Sequence, residues 1–119
     1  MREELKKREG NRGTFIGVFS RFGTDNDGYG TIQTVVFMNI RDANGELVSD
    51  HNWFRCTDSF KKMGLSRGDV VQFDARVKEY RKNYEGDPEA IDYKLSNPTK
   101  IKKVGKVNLP PIRRGGNNP

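Results

Sequence analysis

Apolar and polar residues alternate with a repeat of two along much of the chain between residues 13 and 104. This repeat is typical of β-strands that place one face on a core and the other in water. It is strictest over residues 70–80, where every second residue from Val71 to Val77 is apolar. This segment predicts a strand, the fourth along the chain, entered through a turn at Gly68-Asp69.

Turn residues divide the rest of the pattern into four further strands. The first begins at Gly13, the second covers residues 31–42 and the third covers 46–56. Asn44-Gly45 predicts a hairpin between the second and third strands, because these residues tolerate the positive φ angles of tight turns. The last strand, "YKLSNPTKIKKV", is interrupted at Pro98, so we expect it to be bulged or to lie at a sheet edge.

One short helix is predicted between the third and fourth strands, in "TDSFKKMG". Thr57 or Asp58 can cap its start, Phe60 and Met63 share one face, and Gly64 ends it. The element order is therefore three strands, a short helix and two strands.

This order resembles that of the OB-fold, and "LSRGDVVQFDARVKEY" resembles the fourth strand of many OB domains. "DYKLSNPTKIKKV" is similar to their closing strand, and the chain is similar to small OB proteins of phages and mobile elements. The resemblance implies an all-β, five-stranded Greek-key barrel with one short helix between strands 3 and 4. It covers residues 13–104, which leaves a charged N-terminal arm at 1–12 and a basic tail rich in Pro, Gly and Asn at 105–119, both expected to be flexible.

Basic charge is concentrated at the C-terminal end of the chain. The 119 residues carry 22 Lys and Arg against 16 Asp and Glu, a formal net charge of +6. No acidic residue follows Asp92 but seven basic ones do, so the preceding part holds 15 basic residues against all 16 acidic ones. The positive net charge of the whole chain predicts a polyanion partner. The late lysines, which include Lys100, Lys102, Lys103 and Lys106, suit either protection of a strand edge or phosphate contacts, and "LPPIRR" suits either nucleic acid or a protein partner.

Few residues suit catalysis or metal binding. Cys56 and His51 are the only residues of their types, so no intramolecular disulfide is possible and a zinc site is not expected. His51 lacks a Ser, Cys or second His to complete a catalytic set. The "TDNDGYG" segment lacks the glutamate of a calcium loop, since that position falls on Val36. We therefore expect no enzyme activity and no cofactor. The lack of a long apolar run or signal peptide predicts a cytoplasmic protein.

The resemblance to OB domains implies where a single-stranded nucleic acid would bind. OB domains use the face of strands 2 and 3 with two loops, here about residues 22–31 and 81–92. Aromatic rings that stack on bases and cations that neutralise phosphates occur near these regions. The candidates are Arg21, Phe22, Tyr29, Arg41, Trp53, Arg55, Arg76, Lys78, Tyr80, Arg81, Lys82 and Tyr84. A solvated strand whose aromatics cover the rim of the barrel would give the same pattern.

Three matters stay open at this point. Neither face of the third strand is cleanly apolar, so Trp53 suits both a core position and a stacking platform. DNA is favoured over RNA by family analogy alone. A protein-interaction adaptor or a regulator of a nucleic-acid enzyme, built on the same barrel, is the alternative to nucleic-acid binding, because the barrel itself is nearly neutral.

Overall fold

The fold was taken from a computed structural model, which describes residues 10–26, 28–81 and 91–110, with side chains described except at 79–81 and 91–92. Five strands and one helix lie in this part of the chain. They are β1 (Arg12–Asn26), β2 (Thr31–Asp42), β3 (Leu47–Arg55), α1 (Asp58–Lys62), β4 (Asp69–Arg81) and β5 (Ile91–Lys106). The predicted element order is confirmed.

All five strands form one antiparallel sheet in the order β3-β2-β1-β4-β5. The all-β prediction is therefore confirmed. β5 lies at a sheet edge, and its register with β4 shifts on both sides of the Asp74–Thr99 pair. The sequence predicted that the strand with Pro98 is either bulged or at a sheet edge, and β5 is both.

Phenylalanine side chains form the centre of the core. Six of the seven are nearly or fully buried, and Phe37 packs against Phe19, Phe54, Phe60 and Phe73 with ring centroids 5.6–6.1 Å apart. Helix α1 contributes Phe60, which also stacks on Phe54. Because the helix is only five residues long, this buried ring is its main attachment to the sheet.

The sheet is not closed into a barrel. Its edge strands, β3 and β5, approach each other, but no backbone ladder joins them in the described residues. The amide of Asn52 takes the place of a ladder there. Its Nδ2 donates to the carbonyls of Trp53 and Leu95 at 3.1 and 3.2 Å, and its Oδ1 accepts from the Leu95 N–H at 2.9 Å. The barrel prediction is corrected accordingly: in the described residues side-chain contacts, Asn52 among them, bridge the two edges in place of strand pairing.

The hairpin between β2 and β3 differs in detail from the prediction. Gly45 has a φ of 86°, whereas Asn44 does not have a positive φ. The Asp42 carboxylate accepts from the N–H groups of Asn44 and Glu46, both at 2.9 Å. A single glycine in the left-handed region is enough here, because the aspartate side chain satisfies the other turn amides.

The turn before β4 holds the end of β5 and the residues that follow it. Gly68 has a φ of 99°, and its carbonyl accepts from the Val107 N–H at 2.8 Å. Asp69 is buried, and the Nζ atoms of Lys103 and Lys106 each lie 3.3 Å from its carboxylate. These two lysines of the edge strand β5 therefore form ion pairs with a buried carboxylate.

The predicted division into a barrel and two arms stays a prediction, since residues 1–9 and 111–119 lie outside the described part of the chain. Within the described part, no helix has the length and apolar character needed to cross a membrane.

Candidate functional site

Trp53 lies on the outer face of β3, and its residue is 42% exposed. The register of β3 with β2 places Trp53 opposite Val36, while the flanking Asn52 and Phe54 are buried. The sequence left this face undecided because Asn52 is polar. Its burial is explained by its hydrogen bonds to Leu95, which satisfy the amide inside the protein.

A shallow groove of about 180 Å³ runs beside Trp53 across β3, β2 and β1. Arg21 forms its far side, opposite Val36 on the neighbouring strand. The Arg21 guanidinium lies across Gly23, where an added Cβ would come within 2.8 Å of its Nη1. The absence of a side chain at Gly23 therefore leaves room for the Arg21 guanidinium in this position.

A larger cleft of about 480 Å³ lies on the other side of Trp53, where the sheet is open between β3 and β5. Lys94 of β5 faces the indole across this opening, with its Nζ 5.5 Å from the ring centroid. This separation falls within the range of a cation–π interaction. The cleft is lined by Trp53, Phe54, Arg55 and Thr57 on one side and by residues 94–99 on the other.

Cations therefore lie on both sides of an exposed indole ring. Strand registers place Lys78 beside Lys94 and place Trp53, Val36 and Arg21 in one row, and the Lys94–Trp53 contact connects the two groups across the open edge. Arg55 lies two residues beyond Trp53 on the same face and also lines the cleft. One carboxylate, Asp25, lines the groove beside Arg21. The arrangement combines a flat apolar surface with positive charge along one line, which suits a chain that carries rings and phosphates alternately.

The cleft wall formed by β5 has an unusual backbone that is held in place by Arg12. Asn97 and Lys100 have φ angles of 52° and 53°, in the left-handed region. The Arg12 Nη2 atom donates to the Asn97 carbonyl and to Thr99 Oγ1, both at 2.9 Å. Non-glycine residues in this region persist only where surrounding contacts enforce them. The guanidinium supplies such contacts.

The structure brings only some of the predicted site residues together. Arg21, Trp53 and Arg55 lie around the groove and cleft, and Lys78 lies beside Lys94. Arg76 lies two residues before Lys78 on β4, and its Nη1 donates to the Gly10 carbonyl at 2.7 Å. The remaining predicted residues are Phe22, Tyr29, Arg41, Tyr80, Arg81, Lys82 and Tyr84.

Phe22, Tyr29 and Arg41 do not line the groove or cleft. Phe22 is 42% exposed, but it is opposite the buried Val35 and packs edge-on against Phe19, so it lies on the core-facing side of β1 and not on the face of Trp53. Tyr29 is 99% exposed in the β1–β2 loop. Arg41 donates to the Gly45 carbonyl at the far hairpin. Lys82 and Tyr84, together with the side chains of Tyr80 and Arg81, lie outside the described residues, so their predicted roles stay predictions.

Sequence reasoning missed Lys94, Thr57 and Asn97 as site residues. The alternation around Leu95 could have placed Lys94 on the outer face of its strand. It could not have placed Lys94 beside Trp53, because 41 positions separate them and only the meeting of two sheet edges joins them. Asn97 carried no signal beyond its position before Pro98.

Among the side chains that the structure describes, the pKa values of two titratable groups are clearly shifted, and neither group belongs to this surface. Burial raises the pKa of the Cys56 thiol, with Lys61 opposing and Asp58 adding to the shift. A hydrogen bond from the Ser66 N–H lowers the pKa of Asp69 against the effect of burial, with help from Lys106 and Lys103. No group of three or more His, Cys, Asp or Glu in the described residues could hold a metal ion.

Comparison of the chain with protein-family models, with curated proteins and with solved structures gave no match. Function must therefore be argued from the surface around Trp53.

Proposed function

We propose that the chain is an OB-fold module that binds single-stranded nucleic acid without catalysing a reaction. The strand order supports the OB assignment, because β1 is central and the edge strands β3 and β5 run in the same direction and approach each other. A short helix between β3 and β4 is also present. These features support the assignment, because the OB-fold is a five-stranded and partly open barrel.

Binding would use stacking and charge neutralisation together. A base would stack on the outer face of Trp53, and the phosphates on either side would be met by Arg21, Arg55 and Lys94. Each base stacked on an aromatic ring contributes about 1–3 kcal/mol. Lys78 and Arg76 continue the positive surface along β4. DNA is preferred over RNA by family analogy alone.

One observation carries this proposal: an exposed tryptophan lies at the junction of two grooves, with a cation on each side. A core tryptophan would have its ring enclosed, whereas the Trp53 residue is 42% exposed and is the only Trp in the chain. An aromatic ring on which a base can stack, set beside cations that can meet phosphates, is the combination that single-strand binders use.

Intrinsic fluorescence gives a direct test, since all tryptophan emission comes from Trp53. We expect a single-stranded oligonucleotide to quench this emission and to bind more weakly as salt rises. Contacts to three or four phosphates predict a slope of about −2 to −3 in a plot of log K against log salt. Double-stranded DNA of the same sequence should bind more weakly, because its bases cannot stack on the ring.

Two pairs of variants assign the contributions. The Trp53 variants lack tryptophan, so their binding is measured by the anisotropy of a labelled oligonucleotide. Trp53→Ala should weaken binding by about 5- to 150-fold, and Trp53→Phe by less, because a ring is retained. Arg55→Ala should lower the magnitude of the salt slope by about 0.7. Arg41→Ala is the matched control, since it removes the same charge at the far hairpin, and should leave the slope unchanged.

The proposal is wrong if no oligonucleotide binds at low salt or if Trp53→Ala binds as tightly as the wild type. Quenching of Trp53 by a protein partner without any oligonucleotide binding would favour the adaptor alternative.

A further inference from the structure

We infer that the cleft between β3 and β5 receives one nucleobase and recognises its hydrogen-bonding edge, so that binding prefers one base. This inference rests on the proposed function and adds a base-specific site to a surface that would otherwise bind any sequence. It concerns the cleft of about 480 Å³ beyond Trp53, not the shallow groove toward Arg21.

The dimensions and lining of the cleft suit a base with its sugar. Its volume lies in the lower part of the range for small-molecule pockets, about 300–1,000 Å³. Trp53 and Pro98 supply apolar surface, and polar side chains come from both walls. A mostly apolar pocket with a few placed polar groups is the usual form of a site that selects one planar ligand.

The cleft is rigid because each wall is fixed by hydrogen bonds. Asn52 joins β3 to Leu95 at the base of the cleft through two hydrogen bonds, and a third holds its amide to the Trp53 carbonyl on β3. Arg12 fixes the bulge of β5 through Asn97 and Thr99. A preformed site loses less entropy on binding and can distinguish ligands that differ by one hydrogen bond.

Two polar side chains are available to meet the base edge. The hydrogen bond from Arg12 goes to the backbone carbonyl of Asn97 and does not involve the Asn97 side chain, which is exposed at the cleft wall. Thr57 precedes α1, but its hydroxyl makes no capping hydrogen bond to the helix, and it lines the opposite wall. An amide offers both a donor and an acceptor, which is the combination that distinguishes one base edge from another.

Charge favours a nucleotide over an uncharged extended peptide in this cleft. Lys94 and Arg55 both line the cleft, one on each wall. Lys78 lies opposite Lys94 on the neighbouring strand. A base inserted between the walls would place its two flanking phosphates beside these cations, whereas a neutral peptide carries no negative charge to place there.

The test compares four DNA homopolymers and one fully abasic strand, each of about 12 nucleotides, which is within the site size of OB-folds. With wild-type protein, we expect the tightest and weakest homopolymers to differ by about tenfold or more. Asn97→Gly deletes the amide and tolerates the positive φ, and Thr57→Val deletes the hydroxyl at similar volume.

Each of these variants should weaken the preferred homopolymer about tenfold. The weakest homopolymer, the abasic strand and the salt slope should be unchanged. Asn39→Gly is the matched control, because Asn39 also has a positive φ, of 51°, but lies on β2 away from the cleft lining. It should change no affinity. Thermal melting of all three variants checks that they are folded, and Thr57→Val alone suffices if Asn97→Gly does not fold.

The outcomes separate the two proposals. Equal affinity for all four homopolymers, or an equal loss for all four in both variants, would overturn base recognition and leave stacking on Trp53 intact. If no homopolymer binds the wild-type protein, the proposed function fails and the base-specific site fails with it.

Discussion

Replacing Asn52 tests the bridge between the two sheet edges, on which the shape of the candidate site depends. Asn52→Leu keeps a side chain of similar volume but removes the amide. It eliminates three hydrogen bonds, two of them to the backbone of Leu95 across the opening. Leu95 is itself 1% exposed, so its N–H and carbonyl lose their partner at a buried position.

The expected loss follows from those two backbone groups. A buried polar group left without a partner costs about 1–3 kcal/mol. Entry of water at the open edge would relieve part of this cost, so we expect the free energy of unfolding to fall by about 2–4 kcal/mol. For a domain of this size each kcal/mol lowers Tm by about 4–8 °C, so the fall in Tm should be at least about 8 °C.

Thermal and urea unfolding followed by circular dichroism measure this loss, and Trp53 emission at low urea reports the cleft. The emission should change in Asn52→Leu, since Trp53 would no longer be fixed relative to Lys94. Asn44→Ala, at an exposed hairpin position, is the control and should change stability by less than about 0.5 kcal/mol. A loss below about 1 kcal/mol in Asn52→Leu would refute the argument that this amide takes the place of a backbone ladder.

Three further predictions concern stability and reactivity. Gly68→Ala should destabilise the fold by more than about 2 kcal/mol in urea unfolding, because its Cβ would clash with the Val107 carbonyl at a positive φ. Gly64→Ala, at a φ of 62° with no atom within 4 Å, should cost about 1 kcal/mol, and equal losses would contradict the clash. Folding lowers the pKa of Asp69, so ionised Asp69 stabilises the fold. This stabilisation is fully present above the pKa of the unfolded chain, about 3.9, and is lost as pH falls through the pKa of the folded protein. The Tm deficit of Asp69→Asn at pH 7 should therefore shrink in acid, and a constant deficit would count against this linkage. Cys56 is buried with a raised pKa, so it should react with a thiol reagent at pH 8 much more slowly in buffer than in urea; equal rates would show that the thiol is accessible.

The sequence could predict which residues of a single strand face outward, and this located part of the candidate site. Alternation placed Arg76 and Lys78 on an outer face, and the resemblance pointed to β2, β3 and the adjoining loops. The sequence pattern could not remove Phe22 from the candidate site. Its side chain lies on the core side of β1 because the register of β1 with β2 shifts between Phe19 and Arg21. A bulge of this kind reverses which residues face outward, and it leaves no clear mark in the residue pattern.

The sequence by itself determined the number, order and type of the elements. Local physics is sufficient for these features: a repeat of two residues buries one face of a strand, and Gly68-Asp69 and Gly45 supply the turns. The tertiary structure decided which face of β3 is inside and what lies across from Trp53. Both depend on Asn52, whose polar side chain is buried only because β5 passes close enough to satisfy it. A contact between positions 43 residues apart has no signature in either strand, since its energy exists only when the two edges meet.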